Sequence, residues 1–152
     1  NYHEEIESTL MKPAMLNHPS TIWARQSIHN TMWLFEHGIA LCKEFEFRYG
    51  KEHGSYSRTL QTPMEYDADS TLATPVDIAM ADVYRINNEY GEHCWEFVID
   101  SYRHYYLEGK WKFAEWRNER MPNWWPKDHF KNKRNKEIMA FNERFGASIE
   151  LM

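Results

Sequence analysis

The sequence has few of the residues that build β-sheets. Only three valines and six glycines occur among 152 residues. No stretch alternates apolar and polar residues as a half-buried strand would, and apolar residues recur instead with a period near 3.6. The sequence therefore predicts an all-α protein: a compact single-domain helical bundle with two long helical segments and several short helices.

Other absences exclude whole classes of protein. No apolar run approaches the roughly 18 residues of a membrane helix, so we expect no membrane partner. The nucleotide-binding patterns GxGxxG and GxxxxGK[ST] are missing, as is the Glu-x-x-His pair of di-iron bundles. None of the eight histidines lies four residues from another. The sequence thus predicts neither a cofactor nor a metal site.

Cysteine is scarce as well. Cys42 and Cys94 form no CxxC pair and no zinc spacing. Two isolated cysteines are typical of a reducing compartment, where each is expected to be a buried thiol. This pattern favours the cytoplasm.

Breaks and caps divide the chain into segments. After a short helix over residues 2–10, we expect a long helix over 20–49 with either a kink or a short break near 28–30, where Ser27 and Asn30 are candidate caps of a second helix. Gly50 follows it as a left-handed cap, and Leu34, Leu41 and Phe45 are its predicted core contacts. Further helices are predicted over 51–61, 76–86, 94–118 and 128–145. The predicted domains are a helical core, 1–126, and a charged C-terminal helix, 127–152, packed on it or extending from it.

Aromatic residues, at 16%, are unusually abundant, and ten of the 24 lie between residues 95 and 125. The charge is uneven, since residues 1–100 carry −9 and residues 101–152 carry +4. In the basic part, Arg103, Lys110 and Arg117 are seven apart and share one helix stripe. Tyr102, Tyr106, Phe113 and Trp116 form the adjacent stripe. Cations beside rings suit a nucleic-acid strand, with phosphates on the cations and bases on the rings. The alternative is that the rings form the core.

A second polar and aromatic cluster spans residues 17–30. On one helix, Arg25 and His29 share a stripe and would form a donor-rich surface suited to a phosphate or carboxylate. The alternative is structural: Arg25 pairs with a core acid such as Glu44, while Ser27 and Asn30 cap a helix.

Two strings of residues carry a family resemblance. The first comprises His18-Pro19-Ser20, Trp23-Ala24-Arg25, Ser27, Asn30, Trp33-Leu34, Ala40-Leu41-Cys42, Glu44, Arg48-Tyr49-Gly50-Lys51 and His53. The second comprises Tyr102-Arg103, Tyr105-Tyr106, Lys110, Phe113-Ala114, Trp116, Arg120, Pro122 and Trp124. Together they resemble a widespread family of small tailed-phage proteins, some of which are loosely described as similar to pyrimidine-dimer DNA glycosylases. The resemblance covers about residues 12–126.

The resemblance and the clusters leave three functions open. The first is an interaction or assembly factor that binds a protein partner or a phage assembly through an aromatic and basic surface. The second is a DNA-directed protein of the glycosylase/lyase type, and the third is a small-molecule or nucleotide enzyme that uses Arg25, His29 and Asn30. All three place the protein in the cytoplasm of the infected bacterial host. Whether it is an enzyme stays open, and no catalytic residue is assigned.

Eleven residues form the predicted site. The anion- or nucleic-acid-binding residues are Arg25, His29, Asn30, Arg48, Lys51, Arg103, Lys110 and Arg117. The stacking residues are Tyr102, Tyr106 and Trp116.

Overall fold

The protein is all-α, as the sequence predicts. A computed structural model describes residues 15–61, 72–117 and 120–152, and these residues form helices and no strand. The predicted helix over 2–10 lies outside the described residues. The five α-helices within them are α1 (Pro19–Arg25), α2 (Ile28–Tyr49), α3 (Tyr56–Gln61), α4 (Trp95–Gly109) and α5 (His129–Phe145). Single 3-10 turns occur at Asp82–Tyr84 and Trp111–Phe113.

Local signals set the first helix boundaries. His18 precedes α1, and its Nδ1 accepts a hydrogen bond from the Ser20 N–H at 3.2 Å, while Pro19 takes the first helical position. A break is confirmed, but it lies at Gln26 and Ser27 rather than at 28–30: Ser27 is extended and its hydroxyl oxygen accepts from the His29 N–H at 3.1 Å. Asn30, the other predicted cap, lies inside α2. The Ser27 cap turns the chain between α1 and α2.

The far end of α2 also follows the prediction. Gly50 adopts a φ of 65°, and its N–H donates to the Glu46 carbonyl at 2.7 Å. This left-handed conformation favours glycine. Glu44 and Arg48, one turn apart, form an ion pair at 2.7 Å.

Three predicted helices are wrong in extent. The helix predicted over 51–61 begins only at Tyr56. The segment 76–86 contains only the 3-10 turn Asp82–Tyr84, and the helix predicted over 94–118 ends at Gly109. A Cβ at Gly109 would lie 2.9 Å from ring atoms of both Tyr84 and Tyr105. The tyrosines thus pack directly on the backbone where α4 ends. The chain then turns and buries the Trp111 side chain.

The described contacts divide the chain into two units. The first unit comprises residues 1–79 and 88–98, and its buried apolar side chains are Trp23, Ala24, Cys42 and Val98. The second unit comprises residues 80–87 and 99–152, and buries Trp111 and Trp125. The predicted domain division after residue 126 stays a prediction.

The predicted apolar core of α2 is largely wrong. Leu34 is 41% exposed and Leu41 is 59% exposed, while Phe45 is half-buried. The reason is that α1 and α3, which pack against α2, have only seven and six residues. Helices this short cover only parts of a 22-residue helix.

Both cysteines are free thiols, and Cys42 is buried as predicted, whereas Cys94 is half-buried. None of the described helices combines the length and the apolar composition needed to cross a membrane.

Candidate functional site

The junction of α1 and α2 is held by a buried polar network. The Asn30 amide nitrogen donates to the Trp23 carbonyl at 3.0 Å and to the Thr74 hydroxyl at 2.9 Å. The Asn30 amide oxygen accepts from the Thr74 N–H at 3.0 Å. The Trp23 indole N–H in turn donates to the Thr74 carbonyl and hydroxyl oxygens, at 3.2 and 3.0 Å. Through these bonds the side chains of Trp23 and Asn30 hold the segment around Thr74 against the junction of α1 and α2.

This network leaves no amide N–H of Asn30 for an anion. Both hydrogens on its amide nitrogen are donated within the chain, and the side chain is 1% exposed. Asn30 therefore has a structural role, but the predicted helix cap is wrong, because Asn30 lies inside α2 and joins Trp23 to Thr74. The pairing of Arg25 with Glu44 is wrong, because Arg25 donates to the Leu16 carbonyl at 3.0 Å.

The predicted anion-binding residues of the first unit do not form one site. His29 and Asn30 lie in the first turn of α2, whereas Arg48 lies in its last turn and Lys51 follows the helix. At about 1.5 Å of rise per residue, Asn30 and Arg48 are about 27 Å apart along the axis. Arg25 and His29 are both exposed near the start of the helix.

An aromatic pocket lies beside the polar network. Its volume is about 360 Å³, and three indole rings line it, together with His29, Asn30, Met32, Glu36, Ala73 and Thr74. The rings of Trp23 and Trp33 have centroids 5.6 Å apart at 85°, and those of Trp23 and Trp95 are 6.5 Å apart at 89°. Trp33 and Trp95 are 5.3 Å apart and inclined at 33°. Trp23 thus stands nearly perpendicular to the other two.

The helical spacing of α2 supplies the polar side of this pocket. His29, Trp33 and Glu36 follow one another at intervals of four and three residues, so they share one face. The His37 ring stacks on Trp33 at 5.0 Å and 7°. Glu36 is the only acidic or basic side chain, other than histidine, among the described lining residues.

The second unit places cations over aromatic rings. Lys110 Nζ lies 5.5 Å from the centroid of the Tyr105 ring and 6.0 Å from that of Phe113. Arg103 lies 5.7 Å from the Trp124 ring. These distances are within the range of cation–π attraction. Two of the predicted basic residues therefore lie beside rings.

The predicted stacking residues differ in their surroundings. Tyr106 is 47% exposed, whereas Tyr102 and Trp116 are half-buried. Trp116 meets the buried Trp125 edge-on, with centroids 5.3 Å apart. Arg117 is exposed at the end of the same segment. Of the three predicted stacking rings, Tyr106 is the most open to solvent.

Helix α5 is joined to the end of α4 by polar contacts. Lys133 pairs with Glu108, and the His129 ring Nε2 donates to the Leu107 carbonyl at 2.8 Å. Hydrogen bonding to Lys133 is the main cause that lowers the pKa of Glu108, opposed by partial burial. Glu137 accepts from Lys112 at 2.7 Å and also pairs with Arg134.

Several residues of the polar network and the aromatic pocket were not predicted from the sequence. Thr74 lies 44 residues from Asn30, so no local pattern links them. The proximity of Trp95 to Trp33 is likewise a tertiary contact. The spacing of Trp33 and Glu36, in contrast, was available in the sequence.

Within residues 15–61, 72–117 and 120–152, no three His, Cys, Asp or Glu side chains gather as a metal site would require. No family model matches the chain, and no curated protein or solved structure is detectably similar to it.

Proposed function

We propose that the chain is a small phage-encoded helical protein that acts as an interaction or assembly factor. It binds its protein partner through an aromatic–basic surface of the second unit, formed by Arg103, Tyr105, Tyr106, Lys110 and Phe113. One observation carries the proposal: Lys110 lies over Tyr105 and beside Phe113, and Phe113 is 78% exposed. An exposed ring next to a cation is available to a partner.

The composition of this surface supports a protein partner. Interface cores are enriched in Tyr, Trp, Phe, Met and Arg, and the strongest single contributions come from Trp, Tyr and Arg. Arg103, Tyr106 and Lys110 are spaced by three and four residues, so they share one side of α4 and its end. The surface thus combines anchoring rings with charge that can select a partner.

Helix α5 of the same unit adds exposed apolar and basic groups. It contains five Lys and Arg residues and two Glu residues, a net charge of +3. The rings of Phe141 and Phe145 contact each other with centroids 4.7 Å apart and planes inclined at 41°, and the residues are 46% and 60% exposed. An acidic protein surface with apolar pockets would complement both features.

Site-specific cross-linking in infected cells tests the proposal. A photo-reactive phenylalanine analogue at position 106 should cross-link to one defined protein. Lys110→Glu should reduce that yield by roughly fivefold or more, since a central interface residue contributes over about 1 kcal/mol. Lys43→Glu, the same charge reversal at an exposed site of α2, is the matched control and should leave the yield unchanged. A yield that is insensitive to Lys110→Glu would refute the surface.

A DNA-directed function is the second candidate, because exposed rings beside cations also suit nucleic-acid bases and phosphates. The resemblance to glycosylase-like phage proteins implies a lyase acting through a Schiff base. Borohydride should then trap a covalent adduct between the full-length protein and abasic DNA. If the photo-reactive residue at position 106 cross-linked only to DNA, and borohydride also trapped an adduct, the DNA-directed function would replace the protein-partner proposal.

A further inference from the structure

Residues 147–152 lie along α5 and are held there by two asparagines of that helix. Asn142 Nδ2 donates to the Ile149 carbonyl at 2.8 Å, and the Ile149 N–H donates to Asn142 Oδ1 at 3.0 Å. Asn135 makes the same two bonds with Met152, at 3.4 and 2.8 Å. All four bonds are made to backbone groups of the segment, so its side chains are not what the asparagines recognise.

The spacing of these contacts defines the conformation that the helix accepts. Asn135 and Asn142 are two turns apart, so they share one face of α5 and are separated by about 10.5 Å along its axis. The residues that they bind are three positions apart, and three residues of a polyproline II helix span about 9.3 Å. In that helix every third residue faces the same side, whereas in a β-strand residues three apart face opposite sides. The asparagine face, formed by Asn135 and Asn142, therefore fits a three-fold extended segment that runs antiparallel to α5.

This face lies on the side of α5 that points away from α4. Lys133, which pairs with Glu108 near the end of α4, precedes Asn142 by about 2.5 helical turns. The two side chains therefore project from opposite sides of the helix. A ligand on the asparagine face leaves that ion pair intact and contacts no residue of the aromatic–basic surface defined above.

The segment that occupies the face buries little of itself. Ala147 is half-buried and residues 148–152 are exposed. The apolar residues Ile149, Leu151 and Met152 are 50%, 53% and 59% exposed. Hydrogen bonds at such an exposed position contribute little net free energy, because water competes for both partners. A second segment with the same backbone conformation can therefore replace this one.

We propose that the asparagine face binds an extended polyproline II segment of a partner protein, and that residues 147–152 occupy the face until such a segment replaces them. A polyproline II helix has no internal hydrogen bonds, so its N–H and C=O groups are available to asparagine amides. Proline favours this conformation but has no N–H. Prolines therefore suit the two positions between the bound residues and are excluded from the bound positions.

The charge of α5 adds an acidic residue to the expected ligand. Lys131 is exposed and lies one turn before Asn135, about 6 Å further along the axis. Two more residues of a polyproline II ligand span the same distance, since each adds about 3.1 Å. A Glu or Asp two positions after the second bound residue would therefore lie near Lys131.

Titration with a synthetic peptide tests the proposal. The probe is Ala-Ser-Ile-Pro-Pro-Met-Ala-Glu, whose prolines leave isoleucine and methionine as the one pair three apart in which both residues have an N–H. As the probe binds the full chain, the backbone N–H signals of Ile149 and Met152 in NMR spectra should shift to their free-chain values. The same peptide with N-methyl groups on isoleucine and methionine lacks both donors and should bind roughly tenfold more weakly. Equal binding of the two peptides, or unchanged signals of Ile149 and Met152, would overturn the proposal.

A pair of asparagine variants locates the binding on α5. Asn142→Ala should weaken probe binding roughly fivefold, and circular dichroism verifies that the helix persists. Asn123→Ala alters an exposed asparagine of the same unit outside α5 and should leave the affinity unchanged. Equal effects of the two variants would contradict recognition by the asparagine face.

A pair of proline variants tests the competition with residues 147–152. Ile149→Pro removes an N–H that the face binds, so it should release the segment and strengthen probe binding severalfold. Leu151→Pro retains both bound N–H groups and favours the bound conformation, so it should weaken probe binding. The reverse order, or no difference between the variants, would show that the segment does not compete for this face.

Sedimentation distinguishes a partner segment from a second copy of this chain. A monomer that binds the probe supports the proposal. A dimer that dissociates in Asn142→Ala would instead show that residues 147–152 of a second copy occupy the face, and would overturn the assignment to a partner protein.

Discussion

At the residue scale, Asn30 is the most constrained polar group in the described residues of the first unit. It makes three hydrogen bonds at 2.9–3.0 Å, two of them with Thr74. Trp23 is buried and Thr74 is half-buried, and an unmade hydrogen bond of a buried group costs about 1–3 kcal/mol. Asparagine supplies two donors and an acceptor in one planar group, which neither serine nor aspartate offers.

Asn30→Ala is therefore expected to destabilise the protein by about 2–4 kcal/mol, because it leaves the Thr74 N–H without its partner and removes one of the two donors to the Trp23 carbonyl, the other being the Gln26 N–H. The free energy of unfolding in urea measures the loss. Thr74→Val removes only the hydroxyl and should cost less, about 1–2 kcal/mol.

Asn88→Ala is the matched control for Asn30→Ala. Asn88 is exposed and donates one hydrogen bond, to the Glu92 carbonyl at 3.1 Å. Its loss should cost below about 0.5 kcal/mol. Similar losses for the two asparagine variants would contradict a structural role of Asn30.

At the element scale, helix α5 is attached by contacts of a different kind. None of its described residues is buried, and its links to the end of α4 and the following turn are mainly ionic. The edge-on contact of Trp111 with Phe130, at 5.4 Å, adds an apolar contribution. A helix held in this way depends on the ionisation of its partners.

The ion pair of Glu108 and Lys133 determines the direction in which stability changes with pH. The pKa of Glu108 is held below 4.5 in the folded protein, so the pair stabilises the fold above pH 4.5. That contribution disappears as the pH falls through the lowered pKa. In Lys133→Met, the pKa of Glu108 should rise towards 4.5, as an NMR titration of its carboxyl signal would show.

The stability of Lys133→Met completes the test. Because the Glu108 side chain is 42% exposed, the variant should lose only about 0.5–1 kcal/mol at pH 7, and still less at pH 3. Lys131→Met, an exposed neighbour on α5, serves as control and should leave the pKa of Glu108 unchanged. A loss that persists undiminished at pH 3 would show that Lys133 acts through packing.

At the scale of the whole molecule, the aromatic residues have three roles: they form the cores, line a pocket and lie exposed beside basic groups. Trp23, Trp111 and Trp125 are buried and form the small cores of the two units. Trp33 and Trp95 line a pocket, and Tyr106 and Phe113 are exposed beside basic groups. The aromatic content therefore reflects both folding and recognition, in proportions that composition alone does not show.

Local patterns in the sequence were sufficient to predict the helical class, an interruption close to the start of α2, and the left-handed cap at Gly50. All of these depend on residues within a few positions of one another, because helix periodicity and capping are local. It also predicted basic residues beside rings around Lys110, but Lys110 lies just past the end of α4, and its contacts with Tyr105, five residues earlier, and with Phe113 come from the way the chain turns there.

Which polar and aromatic residues contact one another depends on contacts between distant parts of the chain. Thr74 reaches Asn30 and Trp23 across 44 and 51 residues, and Trp95 reaches Trp33 across 62. Leu34 and Leu41 have the spacing of a core stripe, yet they stay exposed because the neighbouring helices are too short to cover them. Helical periodicity shows that a face is apolar, whereas its burial depends on a partner element from elsewhere in the chain.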